Sequence, residues 1–162
     1  MPHQKIFAPL VSIAAGETPR CIAVCTAYPL HVTQSHRMFE NPPALPHDIV
    51  TEAVERGLGD TTHEPSAAVA LVGIALYDDD RAFIEHCCIE VGMRAESGSQ
   101  LLGLAGLCLG HAARRFGQLS ERAVALAEAL ATRSELDPAD VDGRALDGLD
   151  DIRSYLHRGE AE

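Results

Sequence analysis

The residues best equipped for chemistry in this sequence are its thiols, histidines and clustered acids. Glu85-His86-Cys87-Cys88 and Cys108-x-x-His111 bring together ligand types that zinc accepts. Zinc sites take their ligands in C-x-x-C or H-x-x-x-H pairs from two converging elements. Here the cysteines at 87 and 88 are adjacent, so on a helix they diverge by about a third of a turn. The remaining pair, Cys21 and Cys25, lies far upstream. The spacing favours buried thiols beside a solvated histidine, with no metal and no cofactor. A small metal-binding protein using His86, Cys87, Cys88, Cys108 and His111 ranks third among the functional readings.

Hydrolytic chemistry needs a nucleophile, a base and an orienting acid brought together. Ser, His and Asp are present, but no strand-to-helix nucleophile elbow frames them. No catalytic residue is assigned, and the chain is read as non-enzymatic. Acids cluster at Asp78-Asp79-Asp80 and at Asp147, Asp150 and Asp151. The first group falls where one helix ends and the next begins, where carboxylates favour the new N-terminus. Asp147 and Asp151 share a helix side and repel slightly. In Leu109-Gly110-His111-Ala112-Ala113-Arg114-Arg115, His111 and Arg114 stand one turn apart. They are expected to reach Asp150 or Asp151 on the last helix, a structural anchor in which half-buried charges find partners.

The elements that must position these residues are helices. From Pro46 onward, Ile49, Val50, Ala53, Val54 and Leu58 repeat at helical spacing, with Gly57 and Gly59 as stop signals. Glu64-Pro65-Ser66 opens a second helix, with Val69, Val72 and Leu76 on one face and Leu71, Ile74 and Ala75 on the other. Phe83, Ile84, Cys87, Cys88 and Val91 mark a third. A fourth runs from Leu101 to Phe116, apolar nearly all round, and reads as the central element. Its Gly103, Gly106 and Gly110 each cost about 1 kcal/mol of helix propensity, tolerable where backbones approach closely. Ser120 caps a fifth helix, Ser134–Val141 reads as an acidic loop, and Ala145, Leu149, Ile152 and Leu156 stripe a sixth.

Pair starts near 47, 80 and 120 give a period suited to stacked two-helix repeats. The expected fold is all-α, three antiparallel helical hairpins in a HEAT-like stack over residues 46–158, with a single four-helix bundle as the competitor. Residues 1–45 differ. Short apolar runs at 6–13 and 21–28 alternate with Pro and Gly, leaving open a docked hairpin, an extended arm, a disordered tail or a misassigned start.

The formal charge is −11 over 162 residues, and residues 1–45 contribute +1. The acidity therefore belongs to the helical part, which disfavours nucleic acid and anionic membranes and suits a basic partner or plain solubility. Five cysteines, an odd number, read as free thiols rather than a disulfide framework. No signal peptide or membrane span is apparent, so a cytoplasmic location is expected.

Two stretches carry a family resemblance. Leu107-Cys108-Leu109-Gly110-His111-Ala112-Ala113-Arg114 and Ala145-Leu146-Asp147-Gly148-Leu149-Asp150-Asp151-Ile152 resemble a bacterial HEAT-like group that pairs a CLGH-x-AR helix with a D-A-L-D-D-I helix. Leu76-Tyr77-Asp78-Asp79-Asp80 resembles that group's aliphatic-His-Asp-x-Asp junction, with Tyr77 in place of His. Ala112 and Gly148 are smaller than the usual residues, and Glu85 replaces an expected aromatic. The resemblance covers about residues 47–157. It implies a cytosolic, non-enzymatic protein-binding chain, similar to immunity proteins that neutralise a bacterial toxin by occlusion. A general scaffold or adaptor is the second reading. For an acidic chain meeting a basic toxin domain, the contact candidates are Asp78, Asp79, Asp80, Glu135, Asp137 and Asp140.

Overall fold

The computed structural model describes residues 41–156. The expectations for residues 1–40, and for 157 and 158, lie outside the described residues. Among the described residues the chain is all-α, with six helices and no strand.

Local signals set most of the boundaries. Helix α1, His47–Gly59, follows Pro46 and carries Asp48 in its first turn, where the helix dipole favours an acid. Asp60 then turns extended, and its side chain accepts the Thr62 N–H at the start of a single 3₁₀ turn, Thr61–His63. Helix α2, Glu64–Tyr77, has proline in its first turn, where the missing N–H costs nothing. The acids after it build the next start. Asp78 accepts the Asp80 N–H at 2.7 Å, and Asp80 caps α3, Arg81–Arg94, by accepting from Phe83 N–H at 3.0 Å. Ser99 and Ser120 cap α4, Gln100–Phe116, and α5, Glu121–Leu136. Between these two, Gly117 at φ 65° closes α4 in the left-handed conformation that favours glycine. Asp142 accepts the Arg144 N–H at the start of α6, Arg144–Leu156.

The helices pack by neighbour. Each pairs with the next along the chain, and α1, α3 and α5 lie side by side, as do α2, α4 and α6. Among the described residues, α1 and α2 do not touch α5 or α6. Helix α4 packs against α2, α3, α5 and α6, and its Leu101, Leu102, Ala105, Cys108, Leu109, Ala112 and Ala113 are fully buried.

The α4–α6 contact is the closest in the fold, and glycine makes it possible. A Cβ added at Gly106 would lie 2.9 Å from the Ala145 Cα, and one at Gly110 would lie 2.8 Å from the Gly148 Cα. A Cβ at Gly148 would overlap the Gly106 carbonyl. The two backbones are therefore in van der Waals contact along this line.

Three readings of the sequence need correction. Gly57 does not stop α1 but lies inside it, where a Cβ would come within 2.6 Å of the Ala67 Cβ. Its signal was close packing rather than termination. In α2 the buried face is Ala67, Ala70, Leu71, Ile74 and Ala75, whereas Val69 is 51% exposed and Val72 and Leu76 are half-buried. The Ser134–Val141 loop is shorter than expected, because α5 continues to Leu136 and buries Ser134. The described part of the N-terminal segment, residues 41–46, is not helical; its Pro43 carbonyl lies against Gly73 of α2, and Leu45 packs on the core.

The glycine contact yields a stability test. Gly148→Ala should destabilise the fold by roughly 1–3 kcal/mol, since overpacking outweighs the gain in helix propensity. Gly59→Ala, with nothing within 4 Å of the new methyl, should be neutral or mildly stabilising. Urea unfolding of both variants makes the comparison, and equal stability of Gly148→Ala and the parent would refute the close contact.

Candidate functional site

The acids predicted as partner contacts fall into two groups. Ser99 Oγ donates to Glu64 at 2.7 Å, joining the α3–α4 turn to the start of α2. Gly98 N–H donates to the Asp140 carbonyl at 2.9 Å, joining the α3–α4 turn to the α5–α6 turn. The three turns therefore form one edge, which carries Asp60, Glu64, Glu96, Asp137, Asp140 and Asp142. Glu135 is exposed on the last turn of α5 beside it. Asp78, Asp79 and Asp80 sit at the other end of α2, about 20 Å away at 1.5 Å per helical residue. Glu135, Asp137 and Asp140 are thus brought together, and Asp78–Asp80 are held apart from them.

Most of these carboxylates already have structural partners. Arg133 grips Asp140 through two bonds of 2.8 Å. This pairing, helped by Ser97, holds the Asp140 carboxyl down at about 2. Arg144 clamps Asp142 at 2.8 and 2.7 Å and lowers its pKa, while also donating to the Gln100 carbonyl of α4. Asp137 accepts the Ala139 N–H at 2.9 Å. At the far end Asp78 meets His47 Nε2 at 2.8 Å, and the His47 ring stacks on Phe83. Asp79, whose side chain is fully exposed, reaches Arg115 at 3.2 Å. Between the first two turns is a shallow cleft of about 80 Å³, lined by Gly57, Asp60, Glu64, Glu96 and Ser99 among others. A second cleft, of about 150 Å³, lies between α1 and α2. Both are smaller than the roughly 300 Å³ at which small-molecule pockets begin.

The predicted anchor residues meet at the α4–α6 seam. Arg114 donates to Asp151 and lies over the Tyr155 ring at 5.6 Å. Asp150 points elsewhere, largely exposed and 4.0 Å from Arg153. His111 is half-buried beside the Arg114–Asp151 pair. Burial, and then the Arg114 charge, lower its pKa, against an opposing pull from Asp151.

The thiols are interior. Cys88 and Cys108 are fully buried, and the Cys108 thiol, together with burial, raises the Cys88 pKa well above its ordinary value. Cys87 is also buried, and its pKa is pushed up to about 12, chiefly by burial and then by nearby carboxylates. His86 is exposed beside them. Among the described residues no three His, Cys, Asp or Glu side chains converge as metal ligands. Cys21 and Cys25 lie outside the described residues, and no helix among those described is long and apolar enough to cross a membrane.

The sequence reading missed a set of charged ties between helices. Glu85, 6% exposed, accepts the Ser120 N–H at 3.2 Å and faces Arg81 at 3.3 Å, coupling α3 to the start of α5. Arg94 joins α3 to α1 through Glu55 at 2.5 and 2.7 Å. Arg115 donates to the Ala75 carbonyl at 3.0 Å, capping the end of α2. A glutamate in place of an aromatic at 85 was the one available signal, and it read only as a departure.

No protein-family model, curated protein or solved structure matches this chain.

The Arg133–Asp140 pair gives a pH test. The Asp140 pKa is about 2 when folded, against an ordinary 3.8, so its contribution is present above the ordinary value and disappears as pH falls toward 2. Asp140→Asn should lower the melting temperature at neutral pH and flatten the acid limb between those values. Parallel melting-temperature profiles for variant and parent would rule the pair out as a stabilising contact.

Proposed function

We propose that the helical region is a HEAT-like stack of three antiparallel hairpins that binds another protein without catalysis. The neighbour-only packing supports the stack, since each hairpin would cover only the next. The observation that carries the functional reading is the acidic edge, where three inter-helical turns place carboxylates along one continuous line. Arg133 and Arg144 match Asp140 and Asp142, whereas Glu96, Glu135 and Asp137 remain exposed. Such an edge suits a basic protein surface and would speed association with it.

In the specific form we favour, the chain is an immunity protein. Its acidic edge would cover the basic cleft of a cognate bacterial toxin, and occlusion would be the whole mechanism. Glu135, Asp137 and Asp140 are the assigned contacts. The distance to Asp78, Asp79 and Asp80 favours one alternative, a scaffold or adaptor that engages two partners at opposite ends of the helices.

The two readings separate in one experiment. Co-expression with the product of a neighbouring toxin gene should restore growth, and Glu135→Lys with Asp137→Lys should abolish the rescue while leaving the helical signal unchanged. Failure of the parent chain to bind or rescue would eliminate the immunity role. Rescue that survives charge reversal at 135 and 137 but is lost with Asp79→Lys would move the contact to the other end.

A further inference from the structure

Glu64 and Glu85 are the two buried carboxylates among the described residues, and they are not served alike. Glu85 has Arg81 at 3.3 Å and the Ser120 N–H. Glu64, 9% exposed, has only a neutral partner, since its Oε1 accepts from Ser99 Oγ at 2.7 Å. Its Oε2 has no hydrogen-bond partner, and no basic side chain pairs with it, among the described residues. A carboxylate can accept about four hydrogen bonds, and a buried one left without a counter-charge is costly. The start of α2 offsets part of that charge but leaves Oε2 open. The cleft of about 80 Å³ that Glu64 lines lies where α1 and α3 end. At the end of α1 the Arg56 carbonyl takes the Asp60 N–H, but the carbonyls of Gly57, Leu58 and Gly59 receive no backbone N–H among the described residues. All three residues line the cleft, and such orphan carbonyls form the negative end of a helix. Asp60 and Glu96 stand exposed at the rim, Asp60 already accepting the Thr62 N–H.

We infer that this cleft takes one arginine side chain of the basic partner, its guanidinium donating to Glu64 Oε2 and to the carbonyls that end α1. Size selects the end of a side chain. At roughly 10–15 Å³ for each water-sized group, the cleft holds about five, enough for a guanidinium and too few for a whole small molecule. Geometry selects arginine over lysine. The acceptors are a carboxylate and carbonyls from separate elements, which a rigid fork of N–H donors meets together, whereas an ammonium is a point charge that holds its water more strongly. A bare metal ion fits less well, because no three His, Cys, Asp or Glu side chains converge among the described residues. The inference rests on the acidic edge being the surface for a basic partner, and it names the side chain that this part of the edge reads.

Titration of the full chain with the capped tripeptide Gly-Arg-Gly, followed by amide NMR, tests it. The amides of Gly57, Gly59 and Ser99 should shift and saturate. The same peptide with citrulline, uncharged and of the same shape, should leave them in place. Glu64→Gln, which keeps an acceptor for Ser99, should weaken the arginine peptide by about tenfold or more, the loss expected of one hydrogen bond to a charged group. Glu128→Gln, at an exposed acid on α5, should bind like the parent. Absence of saturable shifts with the arginine peptide overturns the inference, as does equal binding of the citrulline or a lysine peptide, or undiminished binding by Glu64→Gln. The peptide assay stands apart from toxin rescue: peptide binding without rescue removes the immunity role and leaves the subsite, and rescue without peptide binding removes the subsite alone.

Discussion

The fold depends on two helix backbones touching. Along α4 and α6, Gly106, Gly110 and Gly148 place no side chain, and Ala145 only a methyl group, between the two helix backbones. Each glycine costs about 1 kcal/mol of helix propensity, so the contact must return that through dispersion between closely packed backbones. Once α6 lies this near, Arg114 can reach Asp151 and Asp142 can fill the space beside Gly103. The opposite flank of α4 is then free for α2, and its back packs on α3 and α5. A central helix with four neighbours must be small on one side and bulky on the other. The α4 sequence meets that demand, with Gly103, Gly106 and Gly110 along one line and the buried Leu101, Leu104, Cys108 and Ala112 opposite.

Electrostatics finishes what packing begins. Each side-by-side helix contact carries its own charged tie. Arg94 joins α3 to α1, Arg115 joins α4 to α2, Glu85 joins α3 to α5, and Arg114 joins α4 to α6. Exposed pairs of this kind add little to stability. Their value is geometric, because a guanidinium fork fixes the rotation of one helix against its neighbour. Glu85 differs because it is buried: its carboxylate stands at the positive end of α5 and also faces Arg81, so removing it would strand the Ser120 N–H.

The helices themselves were legible from sequence because their signals are local. Caps at Asp80, Ser99 and Ser120, proline after Glu64 and the apolar period place six helices to within a few residues. What sequence reads poorly is lateral packing. In α2 both sides are apolar, so periodicity could not rank the Leu71 face above the Val69 face. Gly57 looked like a stop because glycine reports either termination or close approach, and only the position of Ala67 decides between them. The acidic clusters suffered a similar loss, since their grouping depends on which turns become neighbours. Ser97–Ser99 provides that link through Gly98 and Ser99, and nothing in its composition names Glu64 and Asp140 as partners.

The same packing argues where function can reside. Thiols at 87, 88 and 108 are in the interior with their ionisation suppressed at 87 and 88, so their nucleophilicity is withheld. Much of the acid excess is itself structural. Asp80 and Asp142 serve the starts of α3 and α6, and Asp60 the 3₁₀ turn before α2, by accepting backbone N–H groups. A carboxylate that caps a helix is fixed in place and partly neutralised by the dipole it faces, which makes it a poor contact but a good positioning element. The exposed acids left for recognition are those that no helix start requires, Glu96, Glu135 and Asp137 on the turn edge with the Arg133-held Asp140 beside them, kept in register by the neighbouring caps.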